Sequence, residues 1–581
     1  MSQEDPKAQR LVIMVQNHLQ AGAPDLAYGV GSAACRQFPV HVSLLELTGL
    51  AAAQSGQLSA AIDLFERAYD LSSDNLRLAY NLATVHQQAG TFGRARSLLE
   101  QCIQADPSHA AAHANLGAVL SAFGELDSAL SHLEQSVALG QDTPEVHTNR
   151  GNAMRDQGFV EKAIEAYDRA ISLDSQFQVA HSNRLLCMNY SSRYTQRDIL
   201  EAHQAWAQPL RPKRPQRAAR YPNHDTVRIG YVSPDFRRHS CAYYLRGLFE
   251  HHDRSQFEVT AYYNGNQSDE VTDFFIKRAD RWRSIASLTT KQVRDQILDD
   301  EIDILVDLAG HSAHNRLDIF SEPVAHAQVT YLGYPNTTGL AAMTHRLGDS
   351  ITDPEPEHLV ERLVQLPGCF LCYQPDDDAP PVQPSPHTER DYVTFGSFNL
   401  LTKLTDDVLH CWGKILEGVE GSRIFLKTKQ FASATARRRV TSLLRGYGIA
   451  EERITLRSHV ASLREHLALY GELDLALDPF PYNGTTTTCE ALYMGVPVLT
   501  MMGDRHASRV GASLLGAMGY DTLVAKNQDD YIDRAQALGN QPHELQAMRQ
   551  TLRQTMLSST LCNPVHHTRT LEAAFKAMLT D

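Results

Sequence analysis

The sequence lacks several features that would assign it to other classes of protein. No apolar run approaches the roughly 18 residues of a membrane span, and the polar start MSQEDPKAQR predicts no secretory signal. Cysteine occurs nine times in 581 residues, with one CxxC pair, Cys369–Cys372, and no second pair at metal-binding spacing. The net charge of −14 argues against a general nucleic-acid binder, which needs a basic footprint. We therefore expect several globular domains in a reducing cytoplasm.

The N-terminal third repeats itself with a period of 34 residues. This spacing, with a glycine and an alanine at fixed places, is typical of tetratricopeptide repeats. The glycine ends the first helix of each repeat, and the alanine lets the second helix approach closely. We predict five repeats over about residues 8–177 and a degenerate sixth to about 205. The repeated residues are Gly22, Gly56, Gly90, Gly124 and Gly158, with Ala27, Ala61, Ala95, Ala129 and Ala163.

Four asparagines keep the same spacing on the first helix of successive repeats: Asn81, Asn115, Asn149 and Asn183. The first helices line the concave side of such an array, where amides can bind the backbone of an extended peptide. Hydrogen bonding within the repeats is the alternative interpretation. Either way the array predicts a protein-binding module, and it is also a candidate for homodimer formation.

The repeats, residues 1–206, end in a basic, proline-rich stretch at 207–225, which we interpret as a linker. Strands and helices then alternate, which predicts a doubly wound parallel α/β sheet. A proline-rich, acidic stretch near residue 386 separates two such patterns. We therefore predict two Rossmann-like lobes, residues 226–386 and 387–581, with ligands in the cleft at the carboxyl ends of the strands.

The stretch Tyr482–Val498, YNGTTTTCEALYMGVPV, follows a predicted strand and begins a predicted helix. The first turn of a helix has unpaired N–H groups and the positive end of the helix dipole, so it attracts phosphate. The hydroxyls of Thr485–Thr488 lie at that point, and Glu490 lies further along, where it suits ribose hydroxyls. A simple helix cap is the alternative. The stretch favours nucleotide binding.

Other polar residues follow predicted strands and are therefore expected at the cleft. Lys403 follows FGSFN in the second lobe and suits a diphosphate. His239 and His311 follow strands of the first lobe, and histidine is a base near pH 7. With 26 histidines in the chain, either of these two is also explained as a packed core residue.

The combination of repeats with DFRRH, DLAGHSAHNR, YLGYPNTTG, FGSFNLLTK and NGTTTTCEALYMGVP resembles the nucleocytoplasmic protein O-glycosyltransferases. This is the O-GlcNAc transferase family with its plant and bacterial relatives, and the resemblance covers nearly the whole chain. The chain looks like a bacterial member, because the long insert of animal members between the lobes is absent. The resemblance implies a GT-B fold and an inverting transfer of a sugar from a nucleotide sugar to Ser or Thr of a protein, with no metal or other cofactor.

The resemblance also implies roles for individual residues. Lys403 would contact the diphosphate and support departure of the leaving group, and His239 would be the active-site histidine of the first lobe, with His311 a further catalytic candidate. The residues that would bind the nucleotide sugar are Leu400, Lys403, Ala461, His466, Thr485, Thr486, Thr487 and Glu490. The asparagine series resembles the peptide-binding ladder of the family.

Some positions depart from the animal enzymes. Leu400 replaces a glutamine, Leu463 a lysine, Thr485 a histidine and His311 a tyrosine, and Glu490 stands for an aspartate. The TTTTCE run and His311 are more similar to the plant branch, which includes GDP-fucose-dependent enzymes. UDP-GlcNAc is the expected donor and GDP-fucose the alternative. A repeat scaffold with an inactive nucleotide-binding region is a further alternative.

Overall fold

The computed structural model describes residues 5–211, 225–376 and 378–580. Most of the predicted linker at 207–225 therefore lies outside the described residues. Twelve helices precede this gap: α1 Pro6–Gln20, α2 Pro24–Gln37, α3 Val42–Gln54, α4 Leu58–Leu71, α5 Leu76–Gln88, α6 Phe92–Ala105, α7 Ala110–Ala122, α8 Leu126–Ala138, α9 Pro144–Asp156, α10 Val160–Leu173, α11 Gln178–Met188 and α12 Gln196–Ala207. They form six pairs, which confirms the predicted repeats and places the sixth pair at α11 and α12.

The repeated glycines and alanines have the predicted roles. The five glycines, from Gly22 to Gly158, all have positive φ angles between 68° and 85° and lie between the two helices of a pair. This conformation favours glycine. The five alanines of the series are fully buried. A larger side chain at these positions would hold the paired helices apart.

The described chain forms two compact units. The first runs to Ala153 and includes Ser172–Ser175. The second contains Met154–Ile171 and everything from Gln176 onward. The last helices of the array therefore belong to the same compact unit as the two sheets, although the sequence pattern ends the repeats at residue 206.

The first sheet of the second unit has seven parallel strands in the order β3-β2-β1-β4-β5-β6-β7. Its elements are β1 Val227–Ser233, α13 Ala242–His251, β2 Phe257–Tyr263, α14 Glu270–Arg278, β3 Arg281–Ser284, α15 Thr290–Asp299, β4 Ile304–Asp307, β5 Ala327–Thr330, β6 His345–Asp349 and β7 Arg362–Leu366. Strands β3, β6 and β7 are short and carry Arg or His, so no apolar run in the sequence marks them.

The second sheet has six parallel strands in the order β10-β9-β8-β11-β12-β13. Its elements are β8 Thr394–Ser397, α16 Asp406–Gly418, β9 Arg423–Lys427, α17 Ala434–Arg445, β10 Ile454–Arg457, α18 Leu463–Ala468, β11 Leu475–Leu477, α19 Thr486–Tyr493, β12 Val498–Met501, α20 Val510–Gly516, β13 Val524–Ala525 and α21 Gln528–Asn540. In both sheets the strand order reverses beside the first strand, at β1/β4 and β8/β11. Ligands bind at such switch points.

Two helices end the chain, α22 Pro542–Ser558 and α23 Pro564–Met578. The predicted second lobe, residues 387–581, includes both of these helices. The last helix instead packs against α13 and β7 of the first lobe, where Glu572 accepts a hydrogen bond from His252 Nδ1 over 3.0 Å. The chain thus crosses between the lobes twice. No helix in the described part is long and apolar enough to cross a bilayer.

Candidate active site

A cavity of about 330 Å³ lies where the carboxyl ends of the two sheets meet. Residues of both lobes line it, as the two switch points predict. The first lobe contributes Ser240, Cys241, Tyr244, Leu332, Gly333, Pro335, Phe370 and Leu371, and the second contributes Phe398, Asn399, Leu400, Lys403, Tyr482, Thr485, Thr486, Thr487, His506 and Val510.

The start of α19 forms one wall of this cavity. Asp478 follows β11, and its carboxylate accepts a hydrogen bond from Gly484 N over 2.6 Å, which fixes the turn between strand and helix. A Cβ atom at Gly484 would lie 2.6 Å from the hydroxyls of Thr487 and Thr488, so only glycine allows this tight entry. The Thr485 side chain does not cap the helix. The first-turn N–H groups and three hydroxyls therefore remain suited to an anion.

Lys403 lies beside this helix start, as predicted. Its ammonium donates a 2.6 Å hydrogen bond to Asn483 O and lies 4.4 Å from the centre of the Tyr482 ring. Burial lowers the pKa of Lys403 to about 8, opposed by the negative charge of Asp478. Burial has the opposite effect on Asp478 and raises its pKa. Hydrogen bonds from Gly484 and Thr500 and the charge of Lys403 oppose that rise. A nearly buried ammonium beside uncapped N–H groups is an electrostatic site for a diphosphate.

A chain of polar side chains lies next to the cavity in the second lobe, behind Phe398. Its members, including the predicted residues His466 and Glu490, are not among the residues that line the cavity. Lys427 Nζ donates to His466 Nδ1 over 2.7 Å, and His466 Nε2 lies 2.9 Å from Glu490 Oε2. Tyr470 OH donates to the same carboxylate oxygen over 3.2 Å. These bonds fix the orientation of the His466 ring, and Phe398 lies 5.8 Å from it. The arrangement offers aromatic faces and one carboxylate, which suit a nucleoside.

Of the two remaining predicted second-lobe residues, Leu400 lies at the cavity and Ala461 does not. Leu400 lines the cavity, and 46% of it is exposed. Ala461 is exposed and its N–H donates to Glu465 Oε2 over 3.1 Å. Ala461 is therefore not among the residues that line the cavity in this structure, and its role stays a prediction.

His239 is not among the residues that line the cavity, but the next two residues, Ser240 and Cys241, are. Its Nδ1 accepts a hydrogen bond from Cys241 N over 3.3 Å and lies 3.5 Å from Asp235 Oδ2. Burial lowers the pKa of His239, opposed by the charge of Asp235, so the ring is neutral near pH 7 and can accept a proton. Ligand atoms of Asp235, His239 and Cys241 lie within 4.8 Å of one another and form the one candidate metal cluster in the described ranges.

His311 lies in the protein interior and does not line the cavity. It is fully buried, with Nε2 2.9 Å from Thr338 O and Nδ1 3.3 Å from Ser182 Oγ. Trp206 packs against its ring at 4.4 Å. Burial holds its pKa well below the ordinary value. Because both ring nitrogens have protein partners and the residue does not line the cavity, the geometry does not support a catalytic role, which stays a prediction.

The asparagine series is at least partly used within the array. Asn81 Nδ2 donates to Glu46 Oε1 over 3.2 Å, and Asn115 Nδ2 lies 3.2 Å from both Tyr80 OH and Thr84 Oγ1. These bonds favour the alternative that the first two amides stabilise the repeats. Asn149 and Asn183 are both half-buried. Peptide binding by the series stays a prediction.

Several residues at the site are not predicted from the sequence. Lys427 ends β9, and its position at a strand end is a usable signal, but its partners His466 and Glu490 are distant in sequence. Asp478 follows β11, and its role in fixing the turn before α19 emerges only from its contacts with Gly484 and Thr500. Tyr482 stacks on Tyr190 of the sixth repeat at 4.5 Å, and this long-range contact leaves no local pattern.

A family model described as glycosyl transferase family 41 matches residues 211–375 and 387–571. The chain belongs to glycosyl transferase family 41. Tetratricopeptide-repeat models match residues 14–75, 86–151 and 144–177. The predicted family and the predicted fold class, a repeat array followed by a two-lobed α/β region, are thereby confirmed.

Two relatives and one solved structure show what this family 41 chain is similar to. The probable UDP-N-acetylglucosamine--peptide N-acetylglucosaminyltransferase SPINDLY of Solanum lycopersicum is 40% identical over 406 residues, covering 68% of this chain and 43% of the relative. SEC of Arabidopsis thaliana, which carries the same probable activity name, is 28% identical over 61% of this chain and 37% of its own. A point mutant of the O-GlcNAc transferase of Thermobaculum terrenum superposes with a TM-score of 0.82 at 33% identity, covering 87% of this chain and 97% of that one. The chain spans less than half the length of these curated relatives.

Proposed function

We propose that this family 41 protein transfers a sugar from a nucleotide sugar to Ser or Thr hydroxyls of other proteins. The observation that carries the proposal is the Lys403 ammonium beside the uncapped start of α19, inside a cavity built by both lobes. A diphosphate there meets N–H groups, hydroxyls and one positive charge. The repeat array is the proposed means of recruiting the acceptor protein.

The proposed mechanism follows from charge development in the transition state. As the bond between the sugar C1 and the diphosphate oxygen breaks, the leaving diphosphate gains negative charge. Lys403 and the Thr485–Thr487 helix start stabilise that charge more in the transition state than in the ground state. The acceptor oxygen forms the new bond to C1 from the opposite face, and its proton passes to His239 or to a donor phosphate oxygen. The proposal requires no metal, and full activity in excess EDTA is the expected result.

UDP-GlcNAc is the proposed donor. The activity names of the relatives support this choice. The nucleoside would lie against Phe398 and His466, with Glu490 on the ribose hydroxyls. GDP-fucose is the second candidate, because Leu400 and Leu463 remove polar side chains that the animal enzymes have near the nucleotide. The free state of all nine cysteines fits a reaction in a reducing compartment.

Calorimetric titration of the purified protein with UDP, GDP, UDP-GlcNAc and GDP-fucose, without metal, tests the donor. A preference for both uridine nucleotides supports the GlcNAc transferase. A preference for both guanosine nucleotides transfers the proposal to fucose and leaves the phosphate site intact. Binding of none of the four would contradict the enzyme and favour a repeat scaffold. Mass spectrometry of an acceptor protein incubated with the preferred donor then reports the transferred mass.

A further inference from the structure

One group of residues that lines the cavity has no role in the proposed function: Leu332, Gly333, Phe370 and His506. This group is separate from the nucleoside site, where Phe398 lies beside His466. It adjoins the proposed diphosphate site, because Ala507 O accepts a hydrogen bond from Asn483 N over 2.8 Å and Asn483 O accepts one from Lys403. In an extended nucleotide sugar the diphosphate separates the nucleoside from the sugar. With the nucleoside by Phe398 and the diphosphate by α19, we expect the sugar beside these four residues, which we call the sugar end of the cavity.

His506 has the features of a positioned polar group rather than of a chance histidine. Only 5% of its surface is exposed, and it begins the short 3-10 helix His506–Ser508 of the second lobe. Its Nδ1 lies 2.7 Å from Asp353 Oδ2 of the first lobe. Phe370 packs against the ring edge-on at 4.9 Å. Nε2 has no hydrogen-bond partner in the described ranges, and the residue lines the cavity.

The first lobe holds Asp353 in place for this contact. A Cβ atom at residue 348 would lie 2.2 Å from Asp353 Oδ2, so Gly348 makes the space that the carboxylate occupies. Arg346 Nε lies 3.7 Å from Asp353 Oδ1, and Thr352 Oγ1 donates to Oδ2 over 3.3 Å. Burial acts to raise the pKa of Asp353, but the charges of His506 and Arg346 outweigh it and hold that pKa well below its ordinary value. Asp353 is therefore an anion that holds the proton of His506 on Nδ1.

Arg346, which contacts Asp353, also supports the turn that carries Leu332 and Gly333. Arg346 Nη1 donates to Asn336 O over 2.6 Å and to Tyr334 O over 3.3 Å. It thereby ties the turn that carries Leu332 and Gly333 to the residue that orients His506. A partner that fixes the tautomer of a histidine is the usual way to aim its second nitrogen.

We infer that His506, oriented by Asp353, reads the sugar of the donor through a hydrogen bond between Nε2 and a sugar hydroxyl. This inference rests on the proposed function, because it places a nucleotide sugar in the cavity. His506 is a specificity-determining residue in this account and Asp353 is its positioning residue. The ligand class at this end is a hexose or deoxyhexose with a hydroxyl facing the His506 ring.

The test compares binding of a nucleoside diphosphate with binding of its sugar adduct. The wild type is first titrated with UDP, GDP, UDP-GlcNAc and GDP-fucose, and the preferred pair is kept. In His506→Leu we expect the dissociation constant for the nucleotide sugar to rise about five- to tenfold, the scale of one neutral hydrogen bond. The constant for the diphosphate is expected to stay within about twofold, because it makes no contact at this end.

Two further variants separate a reading role from a structural one. In His506→Gln the side-chain amide, which can donate or accept, reaches the place of Nε2, so we expect most of the sugar-dependent affinity to return. Asp353→Asn cannot hold the proton on Nδ1 in the same way, and we expect an intermediate loss for the nucleotide sugar alone. His543→Leu, at an exposed histidine of α22, is the matched control. Thermal melting identifies any variant that fails to fold.

Three outcomes would overturn the inference. These are an equal loss for diphosphate and nucleotide sugar in His506→Leu, no loss for either ligand, or a kcat reduced about a hundredfold with KM unchanged, which would indicate proton transfer. Failure of the proposed function is a different result, since the wild type would then bind none of the four nucleotides.

Discussion

The sheets of the two lobes share one strand order at their switch points, β3-β2-β1-β4 in the first lobe and β10-β9-β8-β11 in the second. The loops that follow those strands differ. After β4 the polar groups are used internally, since Asp307 accepts hydrogen bonds from Ala309 N and Gly310 N and His311 is buried. After β8 and β11, Lys403 and Thr485–Thr487 face the cavity. At corresponding places the same topology therefore supplies an internally bonded loop after β4 and a charged site after β8 and β11.

The strongest test of this difference is removal of the second-lobe charge. In Lys403→Met we expect kcat to fall at least about a hundredfold, the scale of one lost oxyanion-stabilising group. Initial rates at saturating donor measure the effect. Lys429→Met, at an exposed lysine of the same lobe, is the control. A Lys403→Met enzyme within tenfold of the wild type would contradict the assignment.

The first lobe should affect chemistry without affecting the nucleotide. In His239→Gln we expect kcat to fall about a hundredfold, the lower end of general-base catalysis, while the dissociation constant for the nucleoside diphosphate stays within twofold. Initial rates and calorimetry on one preparation measure both. If nucleotide affinity falls together with kcat, the assignment of catalysis to the first lobe and of nucleotide binding to the second is wrong.

The helix start can be disturbed without removing a functional group. A Cβ atom in Gly484→Ala would lie 2.6 Å from Thr487 Oγ1 and Thr488 Oγ1 and would displace the first turn of α19. We expect nucleotide affinity to fall about tenfold, the scale of one or two lost hydrogen bonds. Gly421→Ala, where a Cβ meets no atom within 4 Å, is a control for packing, although its positive φ costs some stability. Unchanged affinity in Gly484→Ala would show that the helix start does not bind phosphate.

The lowered pKa of Lys403 predicts an alkaline limit to activity. Its charge is present below a pKa of about 8 and is lost as the pH rises through that value, so kcat/KM should halve near pH 8 and fall about tenfold per further unit. A pH profile of kcat/KM measures this. In Lys403→Arg the charge persists, and the alkaline limb should disappear. A limb that is identical in both proteins would assign it to another group.

The smallest functional effect is expected at His311. In His311→Phe the oxygen atoms of Thr338 and Ser182 lose a buried partner, which costs about 1–3 kcal/mol of unfolding free energy. Denaturant unfolding should report that loss. The kcat of the folded variant should stay within about twofold of the wild type. A hundredfold loss would instead restore the catalytic role that the sequence suggests.

His239 and His311 show what the sequence can and cannot predict about the site. Both histidines follow a strand of the same sheet, so the sequence predicts a position at the cleft for each of them. Their difference comes from α11 and α12, which bring Ser182 and Trp206 against His311 from more than a hundred residues away in the chain. No local pattern encodes that contact.

The second-lobe site was more predictable because its parts are contiguous. Strand, turn, threonines and helix all lie within Leu475–Tyr493, and their order alone implies an anion site. Lys427 and His506 were missed for the opposite reason. Each acquires its orientation from a partner on another element, Glu490 through His466 in one case and Asp353 in the other.

The return of α23 makes the first lobe discontinuous in the sequence. One crossing of the chain runs from β7 to β8 and the other from α22 to α23, so the lobes are joined at two points rather than one. Because α23 packs against α13 and β7, part of the first-lobe core comes from a helix that follows the whole second lobe in the chain. The hydrogen bond between His252 and Glu572, 320 residues apart, shows the consequence: the first lobe is complete only when both segments are in place.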